Sequence, residues 1–271
     1  MNANSIISVK NPDLSLYVKH YFILDFSYLP DEETEFKVPP TGFPVLLFHF
    51  GEEGNFYRHK HFTNQSLFIG QCSRHILLYP SRGMKLLGVN FKPYGLFNLL
   101  GISPRNFLNS GVESSHLWGA GRVERVIKIL NNEGVERGVV EIESLLLEYR
   151  NGKVKTQAYF DGLVDQLEVL NGLVDLSDLV EKAVSIRTLQ RYFREVIGIS
   201  PKLFSQVLRH KHILELLYKN PEMSWSDLQL NGFYYDFAHF SKDFIQFSGL
   251  TPKRYLPMKN YFAAALLGQN G

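Results

Sequence analysis

The chain of 271 residues contains a single cysteine, Cys72, so no disulfide can form within it and a reducing compartment is expected. It lacks any run of about 18 apolar residues, the length a helix needs to cross a bilayer. Its start, Met1-Asn-Ala-Asn-Ser-Ile-Ile-Ser, has neither the basic segment nor the apolar stretch of a secretion signal. The expectation is therefore a cytoplasmic protein with no membrane partner. An excess of one charge is also missing: 29 Lys and Arg against 27 Asp and Glu leave +2, too little to argue for nucleic acid by itself. With 45% hydrophobic and 21% charged residues the composition is that of an ordinary globular protein, which excludes disordered and fibrous classes, and the length allows two domains.

What is present is a repeat. Phe193-Arg-Glu-Val-Ile-Gly-Ile-Ser-Pro-Lys-Leu-Phe204 aligns without a gap on Phe244-Ile-Gln-Phe-Ser-Gly-Leu-Thr-Pro-Lys-Arg-Tyr255, at an offset of 51 residues. In both copies an aromatic is followed by Gly, then Pro, then a second aromatic at the same intervals, so one supersecondary unit is used twice. The mild basic excess also lies here, with twelve Lys and Arg against nine Asp and Glu between Asp175 and Lys259.

Segments upstream read differently. Val45–Phe50, Ser66–Gly70, His75–Tyr79 and Met84–Phe91 are short, apolar or alternating, and bounded by Gly, Pro, Asn or Ser, which predicts strands of a sandwich or barrel. Pro93–Leu100 predicts a short helix stopped by Gly101, and Ser103-Pro104 a second one with Ser as its cap. From Arg122 to Tyr149 the apolar spacing is helical, with Val140, Ile142, Leu145, Leu146 and Tyr149 as the second stripe and a break at Glu133-Gly134. A polar linker is expected at 151–156. The chain thus divides into residues 1–155, a β-rich sensor or dimerisation domain with a helical end, and 156–271, an all-α domain; the fold class is α+β.

In the first repeat Asp175–Val184 forms an amphipathic scaffold helix, and Ser185 caps a second helix over 186–197. Leu189, Phe193, Val196 and Ile197 make its buried stripe, leaving Arg187, Gln190, Arg191 and Arg194 on the other side. Arg can donate two hydrogen bonds to guanine O6 and N7, and Gln can pair with adenine N6 and N7. Helix, turn and helix in this order is the helix-turn-helix arrangement, although a solvated polar face reads the same way for one helix alone. In the second repeat Ser224–Leu230 is the scaffold, Asn231–Tyr235 the turn and Asp236 the cap, with Phe240, Phe244 and Phe247 inward. Phe237, Ala238, His239, Ser241 and Lys242 are left outward, a less basic set suited to shape, thymine-methyl and phosphate contacts. Lys202, Lys253 and Arg254 sit beside helix starts whose amides can bind a backbone phosphate. The helix across Lys202–Tyr218 is roughly 25 Å long at 1.5 Å per residue, a spacer able to hold two reading helices about one duplex turn apart, roughly 34 Å.

Leu189–Pro201 and His239–Tyr255 resemble the double helix-turn-helix DNA-binding domain of the AraC/XylS transcription regulators. The resemblance implies base reading by Arg187, Gln190 and Arg191 in the first unit and by Phe237, Ala238, His239 and Lys242 in the second, with Arg194, Lys202, Lys253 and Arg254 as phosphate contacts. Val180 and Gln229 stand where the family usually has Ala, and Gly232 is displaced by one residue, with Phe233 near its slot. Phe68-Ile-Gly-Gln, Leu86–Pro93 and Leu117-Trp-Gly119 resemble the uncharacterised cupin-like β-domain that precedes some of these domains. Such a domain implies small-effector binding or dimerisation, so the partners are double-stranded DNA, with RNA polymerase, an unknown effector and a second copy of the chain left open.

The competing readings are poorer. His49, His59 and His61 could hold a metal, but no carboxylate follows at a fitting spacing and Arg58-His-Lys-His reads as a polar loop. Cys72, beside Arg74 and His75, is either an activated thiol or a small buried hydrophobe. The aromatics Tyr17, Tyr21, Phe22, Phe26, Phe48 and Phe50 either line an apolar pocket or fill a core. A small-molecule enzyme of cupin-like form with a helical accessory domain would need a nucleophile–base pair or a metal constellation, and neither stands out. Thiol-based DNA repair would need a motif around Cys72 that is missing. No catalytic residue, metal or cofactor is assigned, and the chain reads as a non-enzyme.

Overall fold

The computed structural model describes residues 4–29, 35–52, 66–152, 157–174, 185–220, 222–230 and 234–255. The expected scaffold helix at Asp175–Val184, most of the linker at 151–156, the turn residues 231–233 and the pair His59 and His61 lie outside them.

Among the described residues eight strands precede the main run of helices: β1 (Asn4–Ile7), β2 (Val18–Asp25), β3 (Phe36–Val38), β4 (Val45–Gly51), β5 (Ser66–Ile69), β6 (Ile76–Leu78), β7 (Met84–Phe91) and β8 (Gly111–Glu113). Six make one antiparallel sheet in the order β1-β2-β7-β4-β5-β8, and β3 pairs with β6 as a separate two-stranded ribbon. The four expected strands are all present. Strand periodicity then decides the layers. On β4, Leu46, Phe48 and Phe50 point into one core while Val45 and Leu47 point into another. The first core is closed by helices α4 (Ala120–Asn132) and α5 (Val135–Glu148), whose Val123, Val126, Ile142 and Leu146 pack near Trp118. The second is closed by the ribbon through Val38 and Leu78. The aromatics Tyr17, Tyr21, Phe22, Phe26, Phe48 and Phe50 are all buried in these two cores, so they fill them.

Two short helices precede this pair, α1 (Pro12–Ser15) and α2 (Gly95–Leu100), with α3 (Ser115–Trp118) leading into α4. α2 ends at Gly101 as expected. Residues Pro104–Phe107 form a 3₁₀ turn, and Ser103 does not cap it: its hydroxyl donates to the Glu195 carbonyl at 2.6 Å. On α5 the break at Glu133-Gly134 holds, but Val139 is buried and Val140 exposed, so the stripe expected at Val140 is one residue out.

The remaining elements are helical: α6 (Ala158–Val169), α7 (Ile186–Tyr192), α8 (Pro201–Lys219), α9 (Trp225–Leu230), α10 (Phe237–Ser248) and α11 (Pro252–Tyr255). The helix expected over 186–197 is not uniform, because after Tyr192 it widens into a π turn over Phe193–Ile197 that ends at Gly198. A π turn adds one residue without a new neighbour in register, which rotates Val196 and Ile197 into the core together with Phe193. That core is shared between the two halves of the chain: Leu163, Leu167, Leu189, Phe193 and Phe204 pack with Tyr94 and against Phe97 of α2.

Candidate nucleic-acid interface

Both reading helices begin in the same way. Ser185 has extended backbone and its hydroxyl accepts the Thr188 amide at 3.2 Å, and Asp236, 51 residues later, accepts the His239 amide at 2.7 Å. Each cap satisfies an amide that the helix cannot, and in doing so fixes which face turns inward. In the first unit Leu189, Phe193, Val196 and Ile197 are buried, and Arg187, Gln190, Arg191 and Arg194 are exposed. In the second Phe240, Phe244 and Phe247 are buried, and Phe237, Ala238, His239 and Lys242 are exposed. Ser241 is half-buried. Lys202, Lys253 and Arg254 are exposed near the starts of α8 and α11. All seven residues expected to read bases therefore lie on solvent-facing sides of two helices.

The second unit holds a polar centre that the sequence did not announce. Asp243 is buried and accepts from the Tyr234 hydroxyl at 3.3 Å and from Gln206 Nε2 of α8 at 3.2 Å, while His239 Nε2 lies 3.7 Å away. This places His239 partly in the unit's own framework. Burial, followed by the charge of Asp243, pushes the Tyr234 phenol up from its ordinary value and keeps it a donor. Tyr235, next along the chain, is 92% exposed, and Phe237 is 52% exposed. The exposed aromatic Tyr235 was not among the expected contacts; its position immediately before the Asp236 cap was the available signal.

α8 joins the units. Its 19 residues span about 28 Å at about 1.5 Å per residue. Ser200 caps it by accepting the Leu203 amide at 3.2 Å, and Pro201 occupies the first turn. Both units bury residues of α8: Phe204 and Leu208 belong to the first core, Ile213, Leu214 and Leu217 to the second. Within α8, burial lowers His210 to about 3, so it is neutral, with Nε2 3.0 Å from the Ser248 hydroxyl of α10.

Residues 181–258 match a helix-turn-helix domain family, and residues 11–113 match a domain of unknown function, DUF6597. The chain carries an AraC-type helix-turn-helix domain. DNA binding in transcription regulation is the coarse activity of this AraC-type domain. The crystal structure of ToxT from Vibrio cholerae O395 aligns with 94% of this chain and 98% of that chain at 9% identity, with a TM-score of 0.43. ToxT from the same strain bound to (E)-4-(8-methylnaphthalen-1-yl)but-3-enoic acid aligns with 87% of this chain and 93% of that chain at 12% identity, with a TM-score of 0.40. No curated protein matches the chain by sequence.

Helix α6, which precedes the matched residues 181–258, and Tyr192 within them are tied to the β-rich half by polar contacts as well as by the shared core. The Tyr94 hydroxyl donates to both Asp165 oxygens at 3.0 Å, Asn98 Nδ2 donates to Asp161 at 3.0 Å, and the Tyr192 hydroxyl donates to the other Asp161 oxygen. Burial raises the Asp161 carboxyl, which these two donors offset in part. Lys19 pairs with Glu168, and burial lowers its ammonium to about 8.

Cys72 is pushed up to about 12 by burial and packs against the ribbon core, which makes it a small hydrophobe and not an activated thiol. His49 Nε2 lies 3.0 Å from the Glu52 carbonyl. Among the described residues there is no group of three or more His, Cys, Asp or Glu placed to hold a metal, and no helix long and apolar enough to cross a membrane.

Proposed function

We propose that the chain is a sequence-specific regulator of transcription that reads two successive major grooves of one duplex, one with each helix-turn-helix unit. The observation that carries this is the arrangement of α7 and α10: each is capped at its start, buried along an apolar stripe, and exposed at the residues able to read bases, with a single helix, α8, between them. In the first unit Arg187 and Arg191 are the guanine readers and Gln190 the adenine reader, because their donors and acceptors match those edges. In the second, Phe237 and Ala238 offer apolar contact to thymine methyls, His239 a hydrogen bond, and Lys242 a charge. Arg194, Lys202, Lys253 and Arg254 neutralise phosphates, which position the protein without reading sequence. The division into residues 1–155 and 156–271 assigns sensing or dimerisation to the first part, where a small effector would act, and DNA binding to the second. Contacts to RNA polymerase and to a second copy of the chain belong to the same reading.

Selection of bound duplexes from a random library tests it. The expected product is a site of two unlike boxes about one duplex turn apart, the first containing guanine and the second rich in thymine. A product with one box, or recovery of random sequence, overturns it.

A further inference from the structure

In the second unit a buried carboxyl group stands behind an exposed reader. Asp243 is 4% exposed, and three groups converge on its Oδ2: Gln206 Nε2 of α8 at 3.2 Å, the Tyr234 hydroxyl at 3.3 Å, and His239 Nε2, one turn earlier on α10, at 3.7 Å. The first two donate hydrogen bonds. An oxygen with two donors aimed at it is an acceptor, so a ring nitrogen turned toward it carries a hydrogen. At 3.7 Å the contact is longer than a hydrogen bond, and a shift of roughly half an ångström closes it. The ring is held from other sides as well. The His239 amide donates to the Asp236 side chain at 2.7 Å, and the Tyr234 ring meets the imidazole edge-on with centroids 5.3 Å apart. Tyr234 is covered in turn by the Arg209 guanidinium of α8, 5.4 Å from its ring. The His239 side chain is 49% exposed, which leaves Nδ1 for a partner outside the unit.

The repeat shows that this centre is particular to the second unit. At the same offset of 51 residues, Tyr192 and Thr188 stand where Asp243 and His239 do. The Tyr192 hydroxyl leaves its own helix and donates to Asp161 of α6, and the Thr188 hydroxyl pairs with that of Ser185 at 2.9 Å. One slot of the repeat thus ties the first reading helix to α6, whereas in the second unit it holds a carboxyl group behind the reading face. Helix packing does not require that group. Phe240, Phe244 and Phe247 already fill the inward stripe, and an apolar side chain of similar volume in place of a buried polar centre is often no less stable.

We propose that Asp243 is a positioning residue for DNA reading: it fixes His239 in the tautomer with its hydrogen on Nε2, so that Nδ1 meets the duplex as an acceptor and takes the exocyclic amino group of adenine or cytosine. The proposal rests on the DNA-reading function above and adds the chemical group that His239 recognises. Those amino groups are the donors of the major-groove edge, whereas guanine O6 and N7 and thymine O4 are acceptors. An A·T pair carries the amino group beside the thymine methyl that Phe237 and Ala238 suit, so adenine N6 is the expected partner.

The test uses the full chain and duplexes recovered by selection. The base pair under His239 is the one at which His239→Ala loses discrimination, and the absence of any such pair overturns the contact. At that pair, purine in place of adenine, or pyrimidinone in place of cytosine, removes the amino group, and a purine with carbon in place of N7 removes an acceptor. In the parent, loss of the amino group is expected to raise Kd about fivefold, the worth of one hydrogen bond, and loss of N7 to leave it unchanged. Asp243→Leu should lose the amino-group response. Tyr234→Phe removes a donor from the same centre but leaves the carboxyl group facing His239, so it should keep the response, which tells positioning from general loosening. Should Asp243→Leu fold poorly, nitrogen-15 NMR of the parent at about pH 8, where an ordinary imidazole is neutral, still decides. Nε2 is expected to carry a hydrogen that exchanges slowly with water. A hydrogen on Nδ1, or one on Nε2 that exchanges as freely as in an exposed imidazole, overturns the proposal. So does a Kd that follows N7 instead of the amino group, or an amino-group response unchanged in Asp243→Leu. Failure of the parent to select any duplex sinks the DNA reading instead, and the ring hydrogen still decides the role of Asp243.

Discussion

Arg191 and Lys242 occupy equivalent places in the two copies, 51 residues apart, and both face solvent. Their chemistry differs in a way that predicts different losses. An Arg that donates two hydrogen bonds to guanine reads a base, while a Lys acts as a point charge. Arg191→Ala is expected to cost about 1–3 kcal/mol of duplex affinity and to relax preference within the first box. Lys242→Ala is expected to weaken all duplexes more evenly, with a smaller loss of preference confined to the second box. Anisotropy titrations against single-base variants separate the two, and equal effects across sequences for Arg191→Ala would remove its reading role. A second residue-scale prediction concerns His210, held neutral by burial at about 3 against 6.5 for an unburied imidazole. The unfolded chain takes up a proton that the fold refuses, so stability is complete above pH about 6.5 and declines as pH falls toward 3, by about 1.4 kcal/mol per unit for this group. The difference in melting temperature between the parent and His210→Leu should change along pH 6.5 to 4. A constant difference would refute the assignment.

At the scale of elements, the caps and the π turn do the specifying. Ser185→Ala and Asp236→Ala each remove an acceptor from the start of a reading helix, at a cost of about 1 kcal/mol, read as a lower denaturant midpoint with unchanged slope. Both caps, the inward stripes Leu189-Phe193 and Phe240-Phe244-Phe247, and the strands from Val45 to Phe91 were legible in the sequence, because each is set by spacing or by a neighbouring amide. The π turn at Phe193–Ile197 was not. It is stabilised by packing of its residues against α2 and the 3₁₀ turn, and Ser103 abandons its expected capping role to reach Glu195 across that junction. Val140 was misplaced for a related reason: a stripe two residues wide does not say which of Val139 and Val140 faces Trp118 and its neighbours until the sheet is in place.

At the scale of the whole molecule, the two halves share one core and a row of half-buried hydrogen bonds, so they should unfold together. Tyr94→Phe deprives Asp165 of its donor and is expected to lower stability by about 1–3 kcal/mol while calorimetric and van't Hoff enthalpies stay equal. Two separated transitions in the parent would contradict a shared core. Binding should also weaken with salt, with a logarithmic slope of about −0.9 per phosphate neutralised, and removing Lys253 and Arg254 should flatten it.

The sequence by itself determined that one helix-turn-helix unit occurs twice, which residues of the reading helices face inward, and where each of those helices starts, since these follow from periodicities of a few residues and from local hydrogen bonding. It also determined why the copies differ, basic in one and aromatic in the other. Only the tertiary structure decided that Gly198 packs on the Arg105 backbone and that Lys37 and Ser73 of the β-rich half hold Gly249 and Gln246 at the end of the second reading helix. Those contacts join residues between about 90 and 210 positions apart, and no local pattern encodes a pairing at such separation; it arises when two independently formed surfaces bury each other.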